Sequence, residues 1–124
     1  MSHTAIVVDD SLSVRLLTAK MLGELRPDWT IIAASDGEDA LAKADGLTLD
    51  LMILDINMPG IDGFELAEKL RPASPNAWIT LLSANVQEKV QTRARERDLG
   101  FIEKPVSIEK LEALLHDFEE SRHD

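Results

Sequence analysis

The sequence predicts an α/β domain with a five-stranded parallel sheet covered by helices on both faces, and three observations carry that expectation. Five short apolar runs are spaced along the chain, segments with helical spacing of apolar residues separate them, and Gly, Pro, Ser or Asp marks most junctions. A run that is apolar throughout, rather than alternating, suits a strand buried on both of its faces.

Taken in order, Thr4-Ala5-Ile6-Val7-Val8 is the first strand and ends in Asp9-Asp10. Ser11 or Ser13 caps the helix that follows, in which Val14, Leu17, Met21 and Leu25 recur at helical spacing until Pro27 stops it. Trp29 to Ala34 reads as the second strand. Asp36 caps a short helix with Ala40, Leu41 and Ala44 facing inward, and Gly46 ends it. Leu51-Met52-Ile53-Leu54 runs into Asp55, and Pro59-Gly60 then forces a turn. Phe64, Ala67 and Leu70 mark a third helix that Pro72 terminates, and Pro75 keeps the next link extended. Trp78 to Leu82 is the fourth strand, ending at Ser83. Val86, Val90 and Ala94 give a thin stripe on a fourth helix, which Gly100 closes before a very short strand at Phe101-Ile102. Lys104-Pro105 follows. Ser107 caps the last helix, whose Ile108, Leu111, Leu115 and Phe118 fall at i, i+3, i+7 and i+10.

At 124 residues and 44% hydrophobic content, the chain is expected to form one domain spanning residues 1–124, with no output domain. The absence of cysteine rules out a disulfide framework and a Cys-ligated metal, and suits a reducing cytosol. The first residues lack a basic and apolar leader and no stretch approaches a membrane span, so a cytoplasmic protein without membrane insertion is expected. With 23 acidic against 13 basic residues the formal charge is −10, which repels a polyanion and argues against direct nucleic-acid binding.

Open α/β sheets bind ligands at the carboxyl ends of their strands. If the first and third strands are neighbours at the switch point, Asp9, Asp10 and Asp55 converge there. Two like charges about 4 Å apart repel by roughly 4 kcal/mol at an effective dielectric near 20, so such a cluster favours a bound cation. Its donors are all oxygen, which selects Mg²⁺, with Mn²⁺ also suitable, over zinc. Two other strand ends deliver a hydroxyl at Ser83 and an ammonium at Lys104, groups suited to holding a phosphoryl group. Asp55 stands alone at the centre of the sheet and is the candidate nucleophile, giving an acyl phosphate.

Four segments together resemble the response-regulator receiver domain of two-component signalling over essentially the whole chain: Val8-Asp9-Asp10-Ser11, Leu54-Asp55-Ile56-Asn57-Met58-Pro59-Gly60-Ile61-Asp62-Gly63, Leu82-Ser83-Ala84 and Lys104-Pro105. The resemblance implies a flavodoxin-like (βα)5 fold with strand order 2-1-3-4-5, of the stand-alone chemotaxis type. It implies that Asp55 accepts a phosphoryl group from a histidine kinase or phosphotransfer protein in the presence of Mg²⁺. Asp10 and Asp55 would ligate the metal by side chains, Asn57 by its backbone carbonyl, and Asp9 through water. Ser83, Ala84 and Lys104 would bind the phosphoryl oxygens, and the Lys104-Pro105 bond would be cis. Ser83 and Phe101 would be the switch pair, remodelling the surface of helix four, strand five and helix five for a downstream target. Phe101 lacks the hydroxyl of the tyrosine that chemotaxis-type members often carry, so it can switch by packing alone. Asn57 and Asn85 occupy positions where the family tunes dephosphorylation. The expected state is a monomer, with a phosphorylation-dependent dimer as the alternative.

Each residue also has a plainer reading. Asp9-Asp10 can be a helix-capping pair, Ser83 a cap, Lys104 a solvated lysine and Phe101 simple packing. Lys89, Arg93 and Arg97 form a basic stripe that reads either as a solvated face paired with Glu88 and Glu96 or as an output surface for an acidic partner. His3, His116 and His123 read as exposed residues without function, and Trp29 and Trp78 as core or rim residues. The competing functions are a Mg²⁺-dependent phosphohydrolase with an aspartyl-phosphate intermediate and a receiver-like module that is not phosphorylated. Against the first, Asn57 stands where such enzymes need an acid/base aspartate, and the length leaves no substrate cap. Against the second stands the complete acidic set with Lys104. The expected protein is no enzyme apart from its own phosphorylation and dephosphorylation.

Overall fold

The computed structural model describes residues 2–122. All five expected strands form one parallel sheet: β1 (Thr4–Val8), β2 (Thr30–Ala34), β3 (Leu51–Asp55), β4 (Trp78–Ser83) and β5 (Gly100–Glu103). The order is β2-β1-β3-β4-β5. Five helices alternate with them: α1 (Leu12–Leu25), α2 (Gly37–Ala44), α3 (Gly63–Leu70), α4 (Glu88–Glu96) and α5 (Ile108–Ser121). A single 3₁₀ turn at Arg71–Ala73 carries Pro72 past the end of α3.

The central strands sort their side chains by parity into two cores. Ile6, Val8, Met52, Leu54, Ile79 and Leu81 pack with Ala40, Phe64, Ala67 and Ala94 from α2, α3 and α4. Ala5, Val7, Leu51, Ile53 and Leu82 pack with Met21, Leu22, Leu111, Leu115 and Phe118 from α1 and α5. Every residue of β3 is buried, as its unbroken apolar run requires. The order places β1 and β3 side by side, with Val8 opposite Leu54, so Asp9 and Asp55 emerge together from the carboxyl edge.

Five details depart from the sequence reading. The inner face of α1 is Thr18, Met21 and Leu22, whereas Leu17 is 51% exposed. Thr18 can be buried there because its hydroxyl donates to the Val14 carbonyl at 2.7 Å. Val86 lies outside α4 and is exposed: the Asn85 N–H donates to Ser83 Oγ and the Gln87 N–H to Asn85 Oδ1, both at 2.9 Å, and these side-chain turns hold the segment out of helix. Gly100 does not close α4 but begins β5, and the left-handed residue after the helix is Asp98, at φ 56°. Ile108, the first residue of α5, is exposed, and Leu114 takes its place in the buried stripe. His3 is also not a free surface residue, since its ring meets Trp29 and Phe118 edge-on at centroid distances of 5.0 and 5.2 Å. His116 is exposed, and His123 lies outside the described residues.

Candidate functional site: an acidic pocket at the carboxyl edge of the sheet

The pocket is assembled at the carboxyl ends of β1, β3, β4 and β5. The β1–α1 turn brings Asp9 and Asp10, with Asp9 fully buried and Asp10 exposed. Asp9 Oδ1 accepts the Ser11 N–H at 2.9 Å, and Ser11 Oγ in turn accepts the Val14 N–H to cap α1. The capping role thus falls to Ser11, and the Asp9 side chain is left to face the pocket. At the end of β3, Asp55 is 3% exposed and its Oδ1 accepts the Asn57 N–H at 3.3 Å. Carboxylate oxygens of Asp9, Asp10 and Asp55 lie within 4.8 Å of one another.

Lys104 reaches in from the end of β5. Its Nζ stands 3.0 Å from Asp9 Oδ2 and 3.3 Å from Asp55 Oδ1. Asp9 Oδ2 is buried and makes no well-aligned hydrogen bond, so its contact with the ammonium is charge attraction without directed donation. Burial pushes the Asp55 carboxyl up to about 6 and the Asp9 charge adds to this, with Lys104 pulling the other way. Burial would lower the Lys104 ammonium, but its close approach to the Asp9 and Asp55 carboxylates prevails, and its pKa is raised overall. One cation against three acids leaves the pocket electron-rich.

That imbalance answers whether a divalent ion fits. An unsatisfied buried oxygen on Asp9, a clustered all-oxygen donor set and a reluctantly ionised Asp55 are what Mg²⁺ or Mn²⁺ would relieve. Asp9, Asp10 and Asp55 supply side-chain oxygens, and the exposed turn residue Asn57 lies two positions after Asp55.

Ser83 ends β4 and is buried, one residue beyond the Leu82 that pairs with Asp55. Its Oγ accepts the Asn85 N–H, which leaves its own proton free to donate. Ala84 follows and is exposed. The Lys104 N–H donates to the Ser83 carbonyl at 3.0 Å, tying the two strand ends together, and the Lys104-Pro105 bond is cis. Phe101 is half-buried and packs on the core beneath α4 with Leu81, Val90 and Ala94 as members of the same cluster.

Lys89, Arg93 and Arg97 are not gathered into this pocket. Arg93 lies over the Phe64 ring at 3.9 Å and Arg97 at 5.8 Å, so the stripe leans on α3. None of the three forms an ion pair with Glu88 or Glu96 among the described residues.

Two structural roles at the site, those of Arg15 and of the motif residue Gly63, were not assigned from the sequence. Arg15 donates from Nη1 to the Asp9 backbone carbonyl at 2.8 Å, bracing the turn that aims Asp9. Gly63 passes so close to the end of β3 that a Cβ would stand 2.5 Å from the Asp55 carbonyl oxygen. The sequence offered a signal only for Gly63, whose place after the Pro59-Gly60 turn hints at a tight return.

Comparison with known proteins agrees with this geometry. The family description "response regulator receiver domain" matches residues 5–116. The nitrate/nitrite response regulator protein NarL of Escherichia coli K12 is 36% identical over 115 residues, covering 91% of this chain and 53% of that protein. Sensor protein EvgS of Escherichia coli O157:H7 is 34% identical over 95% of this chain but only 10% of its own length. The chain thus spans about half, or less, of these curated relatives. Among solved structures, chemotaxis protein CheY4 of Vibrio cholerae is 27% identical with a TM-score of 0.85, covering 95% of this chain and 99% of that one. Response regulator TrrA of Thermotoga maritima, solved with Mg²⁺ and BeF, is 31% identical with a TM-score of 0.78, covering 94% and 98%.

Proposed function

The chain belongs to the response regulator receiver domain family, and from that premise we propose that it is a signalling switch that accepts a phosphoryl group on Asp55 from a phosphohistidine. The observation that carries this reading is the single ammonium, Lys104 Nζ, held within 3.3 Å of both Asp9 and Asp55 in a pocket of three acids. In the transfer, an Asp55 carboxylate oxygen attacks phosphorus, the P–N bond to the donor imidazole breaks, and an acyl phosphate P–O bond forms. The imidazole nitrogen leaves with the bonding pair. Asp9, Asp10 and Asp55, with the Asn57 carbonyl, would hold Mg²⁺, which when bound offsets negative charge on the incoming oxygens. Lys104 would pair with one phosphoryl oxygen, the Ser83 hydroxyl would donate to a second, and the Ala84 N–H would serve the same group.

Delivery by a macromolecule requires a surface around the pocket mouth, and α1 supplies one. Leu12, Leu16 and Leu17 are 60%, 56% and 51% exposed. Leu17 continues into an apolar groove with Val14, Pro105 and Val106 that reaches Lys104. A histidine kinase or phosphotransfer protein would cover these residues, and its imidazole would then face Asp55. The acyl phosphate adds about −1.5 to −2 charges beside Ser83. Drawing the Ser83 hydroxyl onto it moves the loop 84–87, and Phe101 repacks, so the face of α4, β5 and α5 signals to a downstream protein. Residues 1–124 act on this reading as one receiver unit in the cytoplasm, monomeric before phosphorylation, and Lys89, Arg93 and Arg97 contribute to partner choice.

The test is incubation with Mg²⁺ and acetyl phosphate followed by intact-mass measurement. One added phosphoryl group is expected, absent in Asp55→Asn and in EDTA. Continuous phosphate release from assorted small esters would instead favour a hydrolase, and no adduct under any condition would overturn the reading.

A further inference from the structure

We propose that the groove between the β4–β5 edge of the sheet and the flank of α5 is a small-molecule site, for a neutral or cationic ligand with an apolar body and a carbonyl or hydroxyl oxygen at one end. It does not depend on the phosphoacceptor reading. The groove runs along β5 from Gly100 to Glu103 on the α5 side of the sheet, and Asp9, Asp10, Asp55, Ser83 and Lys104 are not among its lining residues.

The groove holds about 330 Å³, at the lower end of the range for small-ligand pockets, roughly 300–1,000 Å³. Trp78, Thr80, Gly100 and Ile102 line it from the sheet, and Leu114 and Asp117 from α5. Two of these residues carry polar groups that the fold leaves unsatisfied. Thr80 is 1% exposed, yet its hydroxyl has no hydrogen-bond partner among the described residues, and the buried Trp78 indole N–H has none either. Most buried polar groups are paired, so two orphans lining one cavity indicate a partner supplied from outside the chain.

Gly100 lies directly against this hydroxyl. It pairs with Thr80 across the strands, and a Cβ at Gly100 would stand 2.9 Å from Thr80 Oγ1. No side chain at position 100 therefore occupies the space beside the hydroxyl. Thr80 is also the one polar residue in Trp78-Ile79-Thr80-Leu81-Leu82, a position where an apolar side chain would have filled the gap.

The chemistry of the ligand follows from the donors and charges. An indole N–H can only donate, so the deep end of the ligand must offer an acceptor, while a threonine hydroxyl can donate or accept. Ile102 and Leu114 require an apolar body. At the mouth, Glu103 and Asp117 are both acidic and exposed, and the Lys110 ammonium is committed to the Glu103 and Pro105 carbonyls at 2.8 and 2.9 Å. In a chain of net charge −10 this rim repels anions.

Titration of the ¹⁵N-labelled full chain with benzamide, benzyl alcohol and benzoate, followed at the Trp78 Nε1–H and Gly100 amide resonances, tests the assignment. Benzamide and benzyl alcohol are expected to give saturable shifts with Kd of the order of 1 mM, and benzoate none. Thr80→Val removes the floor hydroxyl at nearly constant volume and should weaken benzamide about fivefold. Ala113→Phe, at an exposed position of α5 beside the groove, should block binding with the remaining spectrum intact. Shifts that stay linear to about 20 mM, an equal response to benzoate, or affinity unchanged in both variants would overturn the proposal.

Discussion

Asp55 is held under tension that its neighbours relieve only in part. Its carboxyl is raised from an ordinary 3.8 to about 6, first by burial and then by the Asp9 charge, with Lys104 opposing. An acid whose pKa is higher folded than unfolded binds its proton more tightly in the folded chain. The contribution of Asp55 to metal-free stability is therefore full below about pH 4, is lost as pH rises towards about 6, and stays absent above it. At roughly 1.4 kcal/mol per pH unit the loss is about 1–3 kcal/mol. Asp55→Asn has no charge to bury, so in EDTA it should exceed the native protein in stability at pH 7 by that amount, with the gap closing near pH 4. Urea unfolding at several pH values measures this. A gap that widens towards acid would contradict the electrostatic account of the pocket.

At the scale of elements, the loops that follow strands and helices show how local backbone demands shape the site. Gly63 opens α3 against the backbone of β3, with the Asp55 carbonyl oxygen 2.5 Å and the Ile56 Cα 3.0 Å from where a Cβ would sit. Backbone cannot step aside as a side chain can, so Gly63→Ala should destabilise by about 1–3 kcal/mol and slow phosphorylation of Asp55 as well. By contrast, Gly37 would meet only the Ile61 side chain. Asp98 holds a left-handed φ of 56° after α4, a conformation that suits glycine. Asp98→Gly should therefore be tolerated and raise the thermal midpoint slightly, by the equivalent of about 0.5 kcal/mol, which calorimetry would detect. The sequence showed where α4 ends only approximately, because Gly100 was the obvious stop signal and Asp98 carries no mark of its strained dihedral. The strands were far more legible. Leu51 to Leu54 and Ala5 to Val8 are apolar without interruption, and only a two-sided burial explains that pattern. For α1 the periodicity misled, since its leucines outnumber the positions that can be buried. Leu12, Leu16 and Leu17 remain outside, while Thr18 is buried by bonding back to its own helix.

For the molecule as a whole, the parallel order β2-β1-β3-β4-β5 gathers groups that lie far apart in the chain. The acids and Lys104 could be named from the sequence because each ends a strand, and all such ends lie on one edge of a parallel sheet. Arg15 could not, since its role depends on a guanidinium reaching back to the Asp9 carbonyl. The gathering has a thermodynamic consequence that involves every element at once. Unfolding separates Asp55 from the adjacent pair Asp9 and Asp10, so an ion bound by all three stabilises the entire fold, by about 2.7 kcal/mol at a hundredfold excess over its Kd. Mg²⁺ should thus raise the unfolding temperature by several degrees at pH 7, beyond the effect of NaCl at matched ionic strength, which only screens the net charge of −10. At pH 5 a proton on Asp55 competes with the metal, because that group titrates near 6, and the increment should shrink. Asp10→Ala removes an exposed ligand without opening the core and should abolish the Mg²⁺ increment at both pH values. An increment that survives Asp10→Ala, or that grows on acidification, would place the ion elsewhere on the acidic surface and detach it from the carboxyl edge of the sheet.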